Sequence, residues 1–492
     1  VPLGIIFKNE NINDEMVDII QEIHEKYVPT TLIQEPSAEG DINFVPEVMD
    51  KVFLGGDQLT EERARNAVYA RADGDTQFER LEGIIPKNED WHGIRLVYQI
   101  MYDILFQPNS ANDVGSMCAN MNVTNNINAK TKNVLDNFNY CKDYVKTETD
   151  AFIIAATMAH FEMEAFDGEV DIPPEIRYGT KEVRVLWLHK NVKAILEKLI
   201  MSKQEAEIDE LIEGIALADQ PPQPKVFLCR YCGKSYRYKR CRDSHETKEH
   251  PHFTPPEEET KEMYDASSTK EEKHQDYIYN YACVRLSLGL LLRNFDDSVQ
   301  EGDGERILRC WKFLMLIFKS SNHNKFALAA LLLCANVNAM LNPRKAHSLV
   351  WNRTVNNKGG RGKNISLDLR MEHIVHLHKE MLSNLGVNLT EECALRCSRA
   401  VKPVKELLKT VDNELKCRRP SGKHTVTRCQ KDFELIVNEL HNKGQVFFCK
   451  PEEKREYHSF PKFKKTLVNN LNYSQINSWI NQHKKAWSNR GS

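Results

Sequence analysis

Charge of one sign is the first thing missing from this sequence. Its 67 Lys and Arg against 70 Asp and Glu leave a net −3 over 492 residues, which excludes a histone-like coat and an acidic solvating chain. Any basic surface must therefore be local. Long hydrophobic runs are missing too. The longest apolar stretches, Phe326 to Ala335 and Tyr281 to Leu292, are too short or carry Arg285, whereas a membrane span needs about 18 apolar residues. The reading is a chain without a membrane partner. It opens VPLGIIFKNE, with no initiator Met and no charged-then-apolar signal, as expected of a piece of a longer protein rather than a secreted precursor. No fixed-period repeat is present. Neither is the order of a P-loop, a dinucleotide fingerprint or a GxSxG turn, and NNKGGRGKN has glycines and bases in a different arrangement. No small-molecule substrate is expected. The 13 cysteines are odd in number and irregular in spacing, unlike the disulfide frameworks of short secreted domains. They read as thiols in a reducing compartment.

What is present is 41% apolar residues, enough for cores in roughly three domains at about 150 residues each. The first ninety residues alternate short apolar runs (IIF, INFVPEV, VFLGG, LEGIIP) with helical spacing from Asp14 to Tyr27 and in EERARNAVYARA. That alternation argues for an α/β layer. From Trp91 the spacing becomes helical: His92 to Phe106, Thr147 to Phe166, Lys181 to Ile215, Asp276 to Met340, and Leu367 to Leu385. Pro-containing breaks at QPPQPK and TPPEEETKE isolate a small module between them. The last ninety residues read as helical and basic, with six Lys or Arg and no acid from Tyr457 to Ser492. Tyr457, Tyr473, Trp479 and Trp487 could stack bases there, although core packing is the more ordinary use.

Within the isolated module, Cys229, Cys232, His245 and His250 stand as C-x2-C-x12-H-x4-H. Zn²⁺ takes four tetrahedral N or S ligands, and this spacing offers two thiolates from a knuckle and two imidazoles from a helix face. The pattern resembles a C2H2 zinc finger, with Phe227 and Tyr236 at the aromatic core positions and Arg242 where a core Leu is usual. A lone finger contributes folding stability, a phosphate contact or a protein contact; RYKR and KRCRD are compatible with the phosphate contact.

A second constellation is acidic. In VFLGGDQLTEERARNA, Asp57 follows two glycines at a strand end, where α/β proteins bind ligands; alternatively it caps the helix that follows. A second strand end carries Glu89, Asp90 and His92. Far downstream, Asp368, Glu372 and His376 recur four apart on one helix face, with His373 beside them. Two carboxylates at that spacing repel unless a cation lies near; otherwise they are an exposed face whose N-terminal acid suits the helix dipole.

The runs GGDQLTEERARNA, DGDTQFERLEGIIPKNEDWH and WNRTVNNKGGRGKNISLDLRMEH resemble an uncharacterised eukaryotic domain found in many copies in cnidarian, lancelet and fungal genomes. The resemblance runs from Val1 to about Ser398, and multicopy occurrence suggests a mobile element. The layout is similar to DDE-type transposases of ribonuclease H-like fold, especially hAT-like ones with a helical insertion. It implies an α/β fold class: an incomplete ribonuclease H-like core at 1–106, a mostly α-helical insertion at 107–340 with the embedded C2H2 finger at 225–252, a return to the core at 341–400, and a basic helical region at 401–492. It implies Asp57 and Glu372 as catalytic acids, Asp368 as second choice for the latter, and His92 in an acid-x-x-His motif with Glu89. Mg²⁺ or Mn²⁺ would serve catalysis beside a structural Zn²⁺. DNA is the implied partner and the nucleus the implied compartment; a homo-oligomer is left open. Two departures stand out. The strand bearing the family's first acid is missing ahead of the first helix, and Asp41 follows that helix, so this fragment is expected to be inactive unless that acid lies upstream. HIVHLHKE also stands where related domains carry Asn and Arg. The alternatives are a domesticated, inactive DNA-binding protein and a zinc-finger protein-interaction scaffold.

Overall fold

The computed structural model describes residues 4–36, 42–201, 227–229, 232–236, 239–250, 275–384, 386–417, 429–467 and 471–488. Asp41, residues 202–215 and the two Pro-containing breaks flanking the Cys/His module lie outside them. The chain is mostly helical, with a few small sheets.

Helix α1 (Asn13–Tyr27) turns Met16 and Ile20 inward. It stops at Val28, which is extended because Pro29 disfavours helical backbone in the residue before it. Strands β1 (Thr30–Pro36) and β2 (Ile42–Val48) pair antiparallel, Thr30 opposite Val48. Then β3 (Val52–Gly56), α2 (Gln58–Ala70) and β4 (Ile84–Asn88) form a parallel β–α–β unit, with Val52 opposite Ile84 and Gly56 opposite Asn88. Both strands thus end at one edge. Met16, Ile20, Val28, Ala64, Ala67, Leu81 and Ile84 form the core of this layer.

The helical block follows: α3 (Trp91–Leu105), α4 (Met117–Val123), α5 (Phe138–His160), α6 (Pro174–Arg177) and α7 (Lys181–Leu199). A short hairpin of β5 (Phe227–Leu228) and β6 (Ser235–Tyr236) leads into α8 (Lys239–Glu249). Next come α9 (Tyr277–Glu301), ended by Gly302 at φ 75°, α10 (Gly304–Ser320), α11 (Asn324–Ala335) and α12 (Pro343–Trp351). A second hairpin, β7 (Thr354–Val355) with β8 (Ile365–Ser366), introduces α13 (Leu367–Ser383), which packs on α14 (Glu391–Glu414). Helices α15 (Cys429–Val437) and α16 (Tyr473–Ser488) close the chain.

The sequence expectations fit this order unevenly. VFLGG and INFVPEV are strands, whereas IIF at residues 5–7 is irregular and TTLIQEP supplies a strand instead. Residues 444–467 contain little helix, where helix was expected. Their rings enter the core: Tyr457, Phe460 and Phe463 surround Tyr281 at 5.2, 5.1 and 5.3 Å between centroids. Ile476 and Ile480 of α16 join the same cluster, with Trp479 against it. Arg285, inside an apolar run, is fully buried and donates to Glu148 at 2.8 Å, and Glu148 also accepts from Asn120 and Tyr144. No disulfide joins the described cysteine side chains, and among the described residues no helix is long and apolar enough to cross a membrane.

His24 of α1 is buried, and its Nε2 accepts from the Gly83 backbone N–H at 3.2 Å ahead of β4. Burial pushes its pKa below the usual imidazole value. The unfolded chain then takes up this proton at higher pH than the folded one. Stability from this site is complete above about pH 6.5 and is lost as pH falls through the lower folded value. Thermal unfolding from pH 7.5 down to pH 5 should show that loss. His24→Gln, which keeps an acceptor without a titrating proton, should flatten it; an unchanged profile contradicts the assignment.

Candidate functional site

The carboxyl ends of β3 and β4 deliver Asp57, Glu89 and Asp90 to one edge, and α3 starts there with Trp91 and His92. Asp57 is the N-cap of α2: its Oδ1 accepts from the Thr60 backbone N–H at 2.7 Å. Glu89 folds back over β3 and pairs with Lys87 at 2.7 Å. Gly55 makes room for it, since a Cβ there would collide with Glu89 Oε1. Burial raises the Glu89 carboxyl above its usual range, against the pull of Lys87 and Arg353.

Asp90 is neutralised from far along the chain. Arg353, at the end of the loop after α12, gives Asp90 two-pronged contacts, Nη2 at 2.6 Å and Nε at 3.0 Å, and donates to the Asn88 carbonyl at 3.1 Å. Trp311 of α10 adds its Nε1–H to Asp90 Oδ1 at 2.7 Å. Arg353 and Asp90 are 1% and 0% exposed. Nothing local signals this pair, although Arg353 lies in one of the distinctive runs, WNRTV.

His92 is the meeting point. Its backbone N–H and its Nδ1 lie 3.0 and 3.1 Å from Asp368 Oδ2, across 276 positions of sequence. Its Nε2 lies 3.6 Å from Glu372 Oε1. Asp368 is buried and Glu372 half exposed. Asp368 thereby supplies the cap that the first turn of α3 does not receive from Asp90, placing an anion at a helix N-terminus. Helix α13 also packs against β3, which ends just before Asp57. Arg95, one turn into α3, stacks its guanidinium 4.4 Å from the Trp91 ring centre and feels the charge of Glu372. Burial lowers the His373 pKa, and the charges of Arg370, Lys405 and Lys358 add to that effect.

The β5–β6 hairpin and α8 bring Cys229, Cys232, His245 and His250 together, with one ligand atom of each within 4.8 Å of all the others. Cys232 Sγ and His245 Nε2 are 3.3 Å apart. The His245 ring packs on Tyr236 and on His250, each at 5.1 Å between centroids, and Arg242 is buried. This donor set can hold a tetrahedral ion. Among the described residues it is the one group of three or more Cys, His, Asp or Glu gathered that closely, so no three of Asp57, His92, Asp368 and Glu372 form a comparable cage. His376 of α13 is exposed and lies 3.6 Å from Glu380.

Residues 1–424 match the model of a Family of unknown function (DUF6589), and the chain belongs to that family. No curated protein and no solved structure matches it.

Removing one member of a buried ion pair strands the other in a low dielectric at a cost of about 3–5 kcal/mol, whereas replacing both by apolar residues can be neutral. Asp90→Ala should therefore lower the unfolding free energy by about 3–5 kcal/mol in urea. The double change Asp90→Leu with Arg353→Met should recover most of it. A single variant as stable as wild type would contradict the role given to this pair.

Proposed function

We propose that this chain is a DNA-binding protein of transposase descent, ancestrally a divalent-metal-dependent strand-transferase or nuclease, with a structural zinc ion in a C2H2-type finger. The observation that carries the reading is the meeting of His92 with Asp368 and Glu372 at the shared carboxyl edge of a parallel β–α–β unit. Carboxylates that local sequence spacing cannot explain are drawn to a strand-end position typical of ligand sites in α/β folds. The β3–α2–β4 unit, with an acid after each strand, is what a ribonuclease H-like core has in common with this layer.

Asp57 and Glu372 are the side chains to hold Mg²⁺ or Mn²⁺, with Asp368 in reserve. Mg²⁺ is content with one or two carboxylates plus waters and substrate phosphate, so an open arrangement fits it better than it would fit zinc. Such an ion supplies charge neutralisation on a phosphodiester under attack. His92 holds α13 in place through Asp368 and sits between that anchor and Glu372. Asp90 has no part in this set, because Arg353 already satisfies it. In the finger, two thiolates and two imidazoles suit Zn²⁺ in number and softness, and binding would supply folding energy to a module with a very small core.

A second reading has its own support. Asp57 and Asp368 already accept hydrogen bonds as helix caps, which favours a domesticated, nuclear DNA-binding protein without catalysis. The two readings part in one assay. With Mg²⁺ or Mn²⁺, supercoiled plasmid should be nicked by the protein extended N-terminally to carry the first acid, and not by the same protein with Asp57→Asn or Glu372→Gln. Salt-sensitive DNA binding without nicking selects the second reading. Absence of both sinks the two together.

Zinc is tested separately. Protein purified without chelators should carry one zinc per chain by elemental analysis, and Cys229→Ser should lose it. A zinc-free wild type with reduced thiols would rule the ion out.

A further inference from the structure

The segment NNKGGRGKN, which lacks the order of a P-loop, forms the tip of the β7–β8 hairpin. Both ends of that hairpin are clamped to the site. Strand β7 begins just after Arg353, held by Asp90, and β8 ends two residues before Asp368, held by His92. The Leu367 N–H bonds the Arg353 carbonyl, closing the base. On the outer side, Asn364 is tied to the Gln300 carbonyl at 2.8 Å. The tip itself is open. Gly359, Gly360 and Gly362 have φ of 68°, 82° and 70°, a left-handed conformation that glycine adopts without strain.

Three exposed cations, Lys358, Arg361 and Lys363, stand on this tip. Arg361 has a 3.4 Å contact with Glu301 but is 91% exposed. Helix α13 packs on β7, β8 and α14, so Arg370 of α13 and Lys405 of α14 lie on elements next to the tip and extend the patch. Among the described residues, Lys358, Lys363, Arg370 and Lys405 have no carboxylate within salt-bridge distance. In a chain of net charge −3, five cations beside Glu301 and Glu372 are a local excess that an external polyanion would balance.

We propose that the β7–β8 tip, with Arg370 and Lys405, is a phosphate-backbone clamp that holds duplex DNA against the His92–Glu372 edge. This inference rests on the DNA-binding reading above and deepens it by naming the surface. Lysines act as point charges and Arg361 as a fork for phosphate oxygens, so the clamp gives affinity and position without reading sequence. It is distinct from the finger and from the C-terminal lysines.

The test is duplex-DNA anisotropy across a salt series, without added divalent metal, on the wild-type chain and on Lys358→Ala/Arg361→Ala/Lys363→Ala. These side chains are exposed, and circular dichroism checks that the fold is unchanged. The triple variant should bind at least ~10-fold more weakly at 0.1 M salt, and its plot of log affinity against log salt should be shallower by about 0.9 for each phosphate the variant no longer neutralises. The same affinity and slope as wild type overturns the clamp. It leaves the parent reading standing, since the finger or tail would then carry the binding. Tighter binding to single-stranded RNA than to duplex DNA also overturns it. Absence of nicking with the slope change intact removes catalysis and supports the clamp.

Discussion

The buried Asp90–Arg353 pair is the constraint on which the rest of this structure depends. Asp90 ends the parallel β–α–β unit, Trp311 comes from the helical block, and Arg353 comes from the loop that starts the second hairpin. Three parts of the chain are pinned at one carboxylate. Such a pair contributes little net stability over an apolar substitute, because desolvating both ions costs several kcal/mol each. Its value is positional. A salt bridge that is ruinous when half broken permits only one register between β4, α10 and β7, and that register brings α13 to His92.

Around that pin, the acids at the strand ends divide by what they touch. Glu89 and Asp90 face inward and have cationic partners. Asp57 and Asp368 terminate helices, and Glu372 alone is substantially exposed. A helix cap and a metal ligand use the same lone pairs, so Asp57 and Asp368 can serve architecture and chemistry only if an incoming cation offers more than one backbone N–H does. The N-terminal positive end of α3, Arg95 and the basic hairpin all lower the cost of gathering negative charge here. On the proposed reading those same features would attract phosphate, which would tie binding and the acidic edge to one surface.

How much of this was legible in the sequence depended on whether the cause was local. The Cys/His quartet was, because all four donors lie in one short segment with diagnostic spacing. Strands β2 and β3 were, through apolar composition and the glycines at the end of β3. Strand β1 was not: Thr30, Thr31, Gln34 and Glu35 make a polar edge strand whose only sheet partner among the described residues is β2. Asp90 reads as a site acid until Arg353 is found opposite it, and no periodicity links two residues 263 apart. Asp368, second to Glu372 on sequence, makes the closer contact with His92 because the start of α13, rather than its second turn, abuts α3. The aromatic residues after residue 456 were ambiguous for a different reason. Tyr457 and Phe463 are buried by a tertiary pocket around Tyr281, which irregular backbone can fill without any helical spacing.

The central claim is that the strand-end acids, arranged by the Asp90–Arg353 pin, form a site for a catalytic divalent ion. Anomalous scattering from crystals of the full chain soaked in Mn²⁺ tests it most directly, with zinc at the Cys229–Cys232–His245–His250 quartet as an internal marker. The account predicts a manganese peak in contact with Glu372 and with Asp57 or Asp368, beside His92. A clear zinc peak with no manganese at that edge would contradict it and leave these carboxylates as helix caps.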